Sequence, residues 1–258
     1  SAHALVRAVS ASFSDALRRG AEKPAPRAEL ARKQHAAYIA ALREIGLQIR
    51  VLPPLDECPD ACFVEDRVLA LRDRVLLPHS AVPTRRAEEA SLRLALQDSY
   101  PCTLMTDTPG AYLDGGDVLR LGSSVFMSLS ERTNKAGIDC AKRWFTRYGC
   151  RVEVWPKVSG LHLKCSISSL GEGAFICVDG SPLLDRIPSE FEVVCVPRAE
   201  SYAANVLAYN DSVIMADGYP EAAARVRATG RRVLSVDVSA FRAADGALTC
   251  LSVLFEDE

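Results

Sequence analysis

The sequence predicts a mixed α/β fold of small modules set around a centre, within one domain spanning residues 1–258. Two observations carry this expectation. Two or three short apolar runs of strand length accompany each longer segment of helical periodicity, and the pattern returns several times along the chain. No low-complexity stretch or long linker divides it. A doubly wound sheet would show strict one-to-one alternation of strand and helix, so that fold is set aside. Residue identity between the modules is too low to prove a repeat.

The elements follow in order. Ala4 to Val9 reads as a short strand. A helix is expected from about Arg27 to Ile45, with Leu30, Ala31, Tyr38, Ala41, Leu42 and Ile45 on one stripe and Gln34-His35 interrupting it. Pro26 suits its first turn and Gly46 its end. Leu47 to Leu52 is the next strand, stopped by Pro53-Pro54. Arg67 to Leu71 and Arg74 to Leu77 form a strand pair, followed by a helix over Arg85 to Leu96 and a strand near Cys102 to Met105. Leu113 to Leu121 and Val125 to Leu129 repeat the pair, then a helix over Asn134 to Tyr148 and a strand over Arg151 to Trp155.

Composition excludes several classes of function. Of 258 residues, 48% are apolar and 25% charged, the balance of a folded protein with a sizeable core. Net charge is −2 with no dense basic run, which argues against nucleic acid as a partner. No apolar stretch approaches the roughly 20 residues that span a bilayer. The first residues lack the basic-then-apolar order of a secretion signal, so a soluble cytoplasmic protein is expected. Nine cysteines at irregular spacing, an odd number in a chain with ample core, do not form a disulfide framework. Cys177 and Cys195 lie in apolar runs and read as buried thiols. Cys58 and Cys62 resemble half of a zinc site, but no second pair follows.

The chemistry has few possible carriers. Of four histidines, His3 is near the start, His35 falls on a half-buried helix face, and His79 sits in a proline-flanked loop suited to the surface. His162 follows Gly160-Leu161 at the start of a strand, where its ring could enter a central cavity or serve structure equally well. Asp114-Gly115-Gly116-Asp117 is the most unusual short motif. Paired glycines mark either a close approach to the backbone or a tight turn. Asp60, Glu65 and Asp66 beside Phe63-Val64 could receive a guanidinium, whose planar fork matches carboxylates, or could end a solvated loop. Arg85 and Arg132 lie near helix starts, suited to a ligand carboxylate, though surface ion pairs explain each equally well. Cys250 stands between Thr249 and Leu251-Ser252 near the start of the last strand; polar neighbours admit a reactive thiol, and spacing alone also admits a buried one.

Taken together the motifs resemble the dimethylarginine dimethylaminohydrolases, a family of the pentein superfamily of guanidine-modifying enzymes. The matching stretches are Leu52-Pro53-Pro54, Pro59-Asp60, Phe63-Val64-Glu65-Asp66, Arg85-Arg86, Leu113-Asp114-Gly115-Gly116-Asp117-Val118, Arg132-Thr133-Asn134, Leu161-His162-Leu163-Lys164, Ala203-Ala204-Asn205 and Leu248-Thr249-Cys250. They occur in the family's order and at about its spacing over nearly the whole chain. The resemblance implies a five-bladed α/β propeller with the site at its centre. It implies Cys250 as nucleophile, His162 as general acid and base, and Asp114 as their carboxylate partner or a ligand of the reacting group. Asp66 and Glu65 fall where the family holds the guanidinium, Asp60 where it takes the α-amino group, and Arg85 and Arg132 where it grips the α-carboxylate. Leu17, in a lid loop, and Ala244 occupy positions of main-chain contacts.

The implied partner is a small methylated arginine, hydrolysed to citrulline and an alkylamine without a cofactor, by a monomer or a homodimer. No metal is required; zinc taken by Cys250 and His162 would inhibit. The loop Leu77-Pro78-His79-Ser80-Ala81 departs from the family's Thr-Arg-Pro-Gly pattern, and the lid from Arg18 to Pro26 is its own sequence. Rival readings are an arginine deiminase, an amidinotransferase, or a non-catalytic sensor of arginine derivatives.

Overall fold

The computed structural model describes residues 2–20, 24–171 and 173–256; residues 21–23 of the lid lie outside them. Five three-stranded sheets are present among the described residues. The chain runs β1 (Ala2–Arg7), α1 (Ala28–Glu44), β2 (Gln48–Leu52), β3 (Leu69–Leu71), β4 (Arg74–Leu77), α2 (Ala87–Leu96) and β5 (Cys102–Leu104). It continues through β6 (Val118–Leu121), β7 (Ser124–Ser128), α3 (Lys135–Arg147), β8 (Arg151–Trp155), β9 (Ile167–Ser169), β10 (Ala174–Val178) and β11 (Glu192–Val196). The last part holds β12 (Leu207–Tyr209), β13 (Ser212–Ala216), α4 (Pro220–Arg227), β14 (Arg232–Val236), α5 (Ser239–Ala243) and β15 (Val253–Glu256).

Every sheet repeats one arrangement. An inner strand pairs antiparallel with a middle strand, as Leu69 opposite Leu76 and Val118 opposite Met127. The middle strand pairs parallel with an outer strand, as Val75 opposite Cys102. A parallel connection needs a crossover, and α1, α2, α3 and α4 supply it in four blades. The blade of β9, β10 and β11 uses only a short 3-10 turn, Leu184–Arg186. The ring closes where β15 pairs with β1, Leu5 opposite Val253 and Ala4 opposite Leu254. This is the expected five-bladed α/β propeller.

The strand and helix positions agree with the sequence to within a few residues, with one systematic difference. Runs read as strands from Arg67 and Leu113 begin instead with 3-10 turns, Val64–Arg67 and Gly115–Asp117, and the strands start only at Leu69 and Val118. His162 and Cys250 likewise precede strands through the turns Leu163–Cys165 and Thr249–Leu251. All five inner strands are preceded by such a turn, the remaining one being Arg198–Ala204 before β12. Each turn is only three to seven residues long and runs straight into its strand, so no sequence period separates the two.

Three further expectations are corrected. Gln34 and His35 do not interrupt the buried stripe of α1 but belong to it. Gln34 receives Ala240 N–H at 2.9 Å and donates to Ser239 Oγ at 2.8 Å, fastening α5 to α1. His35 is fully buried rather than half-buried, and burial lowers its pKa to about 4, so it stays neutral. Cys195 is only half-buried, because β11 is the outer strand of its sheet. Among the described residues no helix is long and apolar enough to cross a membrane.

Candidate active site

The turns that precede the inner strands meet around the axis, and their neighbours crowd there. A Cβ on Gly115 would stand 1.9 Å from the carbonyl oxygen of Glu65, and one on Gly116 would stand 2.8 Å from the ring of His162. Both glycines are therefore required by space. Close approach and a turn, the two alternatives for this motif, are both realised.

A small cavity of about 170 Å³ opens at this end of the axis, below the roughly 300 Å³ typical of drug-sized sites. Leu17, Asp60, Asp66, Arg85, Arg132, His162, Ala244 and Cys250 all line it. Asp114 stands behind His162 with no exposure, and its Oδ2 meets His162 Nε2 at 2.9 Å. Glu65 is turned away: its Oε1 receives Thr249 Oγ1–H at 2.8 Å and its Oε2 receives Lys164 Nζ at 2.7 Å. It lines a larger cavity of about 610 Å³ among the inner strands, which neither Cys250 nor His162 reaches. The candidate residues converge on the smaller cavity.

Each charged group has defined neighbours. Arg85 is almost wholly consumed internally. It donates to both Glu88 oxygens at 3.0 Å, to Asp66 Oδ2 at 2.7 Å and to the carbonyl of Phe63 at 3.0 Å. Arg132 is partly exposed, with Nη1 3.7 Å from Asp114 Oδ2. Asp60 accepts Leu17 N–H at 3.2 Å on each oxygen, which draws the lid backbone onto the cavity. Arg19 extends the closure, its N–H on Asp245 and its guanidinium on Glu131 at 2.7 Å.

These contacts set the protonation states. Burial raises Asp60 to about 6, with Arg85 and the Leu17 N–H opposing. Burial also disfavours charge on Asp66, but His162, Arg85 and Arg67 outweigh it and hold that carboxylate well below its usual range. For His162 burial opposes the charged ring, yet Asp66, Asp114 and Asp117 prevail and raise it to about 9. Cys250 is pushed well above the ordinary thiol value by burial, with Glu65 and Asp66 adding to it. At neutral pH the site thus pairs a neutral thiol with a charged imidazole. The ligating atoms of Asp66, Asp114 and His162 lie within 4.8 Å of one another, but Arg85 and Arg67 already bind the two carboxylates, which disfavours a cation there.

A family model described as eukaryotic N,N dimethylarginine dimethylhydrolase matches residues 4–199. An N(G),N(G)-dimethylarginine dimethylaminohydrolase of Streptomyces coelicolor is 34% identical over 250 residues, 97% of this chain and 95% of that protein. The chain belongs to the dimethylarginine dimethylaminohydrolase family. A cysteine-to-serine variant of the Pseudomonas aeruginosa dimethylarginine dimethylaminohydrolase, complexed with citrulline, superposes with a TM-score of 0.91 at 29% identity, covering 98% of each chain. A histidine-to-glycine variant of a dimethylarginine dimethylaminohydrolase, solved as an adduct with S-methyl-L-thiocitrulline, matches equally at 0.91 and 29%, over 98% of this chain and 99% of that one.

Within this dimethylarginine dimethylaminohydrolase fold, several residues that support the candidate site were given no role from sequence. Asn205 receives Thr249 N–H at 3.0 Å and donates to Thr249 Oγ1 at 2.9 Å, fixing the turn that carries Cys250. Its motif was visible, its task was not. Asp117 accepts Ser130 and Thr133 hydroxyls at 2.6 Å and Leu163 N–H at 2.9 Å, anchoring the residue next to His162. Arg67 reads as the first residue of a strand, with nothing in sequence to place it against Asp114.

Proposed function

We propose that this protein hydrolyses Nω-methylated L-arginines, dimethyl- and monomethyl-L-arginine, to L-citrulline and an alkylamine through a covalent adduct on Cys250, residues 1–258 acting as one catalytic domain. The observation that carries this reading is the convergence of Cys250 and His162 with Asp60, Asp66, Arg85 and Arg132 on one small cavity. Carboxylates suit the two cationic ends of such an amino acid and an arginine suits its carboxylate. Asp60 would take the α-amino group. Asp66 and Asp114 would hold the guanidinium side of the reaction, and Arg132, the more exposed arginine, would meet the α-carboxylate. Arg85, with its donors largely engaged, would act chiefly by keeping Asp66 charged, while Leu17 and Ala244 close the cavity with main-chain contacts. Glu65, tied to Lys164 and Thr249, would act from below rather than as a direct ligand.

In the mechanism, the guanidinium cation entering beside Cys250 stabilises its thiolate, and the thiol proton leaves to solvent because His162 already carries one. Sulfur attacks the central carbon and a tetrahedral adduct forms. His162, already protonated, gives its proton to the leaving nitrogen as that C–N bond breaks and the alkylamine departs. Water then attacks the resulting thiouronium carbon while His162 takes its proton. The C–S bond breaks, the thiol is restored and citrulline leaves.

A citrulline-release assay with arginine, monomethylarginine and both dimethylarginines tests the assignment. Turnover of methylated arginines well above arginine is expected. Arginine as the sole substrate would mean a deiminase, transfer to an added amine an amidinotransferase, and binding without product a sensor. The thiol state gives a second check. In the free protein, alkylation of Cys250 by iodoacetamide should be slow near neutral pH and still be rising beyond about pH 9, because the thiol lies above the reference value of ~8.5. Fast, pH-independent labelling near neutrality would mean a preformed thiolate and remove the substrate-activation step. The Cys250→Ser variant supplies the background from other thiols.

A further inference from the structure

Arg67 neither lines the small cavity nor meets solvent, and its side chain is fully buried. Its Nη2 donates to Leu113 O at 3.0 Å and to Asp114 Oδ1. Its Nη1 stands 3.6 Å from Glu89 Oε1, and among the described residues neither Nη1 nor Nε has a hydrogen-bond partner. A buried guanidinium with donors unmet is a poor choice for packing, since an apolar side chain of similar volume would fill the space at lower cost. The charge needs another reason.

The geometry around Asp114 supplies it. One oxygen of this carboxylate takes Arg67 and the other takes His162 Nε2 at 2.9 Å, while its own N–H donates to Thr133 Oγ1 at 3.1 Å. On the far side of Arg67, Glu89 accepts Ser80 N–H at 2.8 Å and meets His79 Nδ1 at 2.9 Å. An alternation of opposite charges thus runs from the loop over Leu77 to Ala81, where the sequence leaves the family's pattern, through Glu89, Arg67 and Asp114 to His162.

We propose that Arg67 is a positioning residue for the histidine–carboxylate pair. It occupies Asp114 Oδ1 and fixes the rotation of that carboxylate so that Oδ2 faces His162 Nε2. His162 Nε2 is thereby committed to Asp114, and Nδ1 is left as the nitrogen that exchanges a proton with the reaction. This inference rests on the acid–base role proposed for His162, and Arg67 acts on the reaction only through Asp114.

The test compares the wild type with Arg67→Met, Arg67→Lys, Asp114→Asn and the Arg67→Met/Asp114→Asn double variant. Steady-state kinetics are measured with Nω,Nω-dimethyl-L-arginine. The His162 Nε2–H proton, assigned with a His162→Gln variant, is followed by NMR in the ligand-free protein. Arg67→Met should lower kcat about a hundredfold, the loss that misplacing a reacting group brings, with KM nearly unchanged. The double variant should be no slower than Asp114→Asn alone, because both substitutions break one unit. The downfield Nε2–H signal should be lost or moved in Arg67→Met, and Arg67→Lys, which keeps the cation, should recover part of kcat. A kcat within about twofold of wild type, or additive losses in the double variant with the Nε2–H signal unmoved, would overturn the proposal. If Arg67→Met does not fold, Arg67→Lys carries the test: an unchanged kcat and Nε2–H signal would overturn it, while a reduced kcat with a shifted signal supports it. A wild-type protein that forms no citrulline defeats the function proposed above, whereas the Nε2–H signal still decides the role of Arg67.

Discussion

Cys250→Ser should abolish citrulline formation, by at least about ten-thousandfold, while ligand binding stays within a few-fold of wild type. The two side chains differ by one atom, so the turn Thr249–Leu251 and its anchor to Asn205 should persist. What is lost is the nucleophile. A neighbouring cation that draws a proton from a thiol near its reach cannot do so for a hydroxyl, whose acidity is far lower, and the central guanidinium carbon is too poor an electrophile to react with a neutral alcohol. Rapid-quench product analysis and calorimetric titration with citrulline measure the two halves separately. Full turnover by this variant would remove Cys250 from the mechanism. Loss of binding together with turnover would mean that the thiol matters to the shape of the cavity and not only to bond formation.

Gly116→Ala should lower kcat on the order of a hundredfold, since displacing a reacting group by ~1 Å carries that cost. The backbone at this position lies outside the left-handed region, so alanine is tolerated conformationally and restricts the unfolded chain. The obstacle is the His162 ring, 2.8 Å from where the methyl would sit. A ring can swing aside, and in doing so it leaves Asp114. Because the clash reaches the root of this buried side chain, melting temperature should fall too, though less than for Gly115→Ala, while activity falls steeply. Gly115→Ala makes the control, because its methyl would lie 1.9 Å from the backbone oxygen of Glu65, which cannot yield as a side chain does. That variant should be strongly destabilised as well as inactive. An active Gly116→Ala enzyme would show that the ring need not hold its observed position.

Much of the candidate site was legible because its residues are few in kind and fixed in order. Four histidines left one in a suitable setting, and the stretches around Asp66, Asp114, His162 and Cys250 matched the family in sequence. Strand and helix periodicity located α1, α3, β4 and β8 almost to the residue. What escaped was of two sorts. The 3-10 turns were invisible because each is only three to seven residues long and abuts the strand it precedes, too short to carry a period of its own. Long-range partners were invisible because nothing local marks them: Glu65 was grouped with Asp66 by adjacency, yet consecutive residues face different ways, one to Arg85 and the other to Lys164 and Thr249. Arg67 was hidden for the same reason, its partner Asp114 lying 47 residues on. Gln34 and His35 misled in the other direction, since a polar residue can be buried once a specific acceptor or a neutral state is provided.

The pairing of β1 with β15 gives the ring a clasp. Asp66, Asp114 and His162 are brought to the axis by successive blades, but Cys250, the proposed nucleophile, arrives on the last turn before the strand that fastens onto Ala2–Arg7. Those contacts span nearly the whole chain, and loops of that length close late in folding. Opening of this one seam would free the strand that follows Cys250 and leave its turn held only through Thr249 to Asn205 and Glu65, so loss of turnover on heating or in mild denaturant should precede loss of secondary structure.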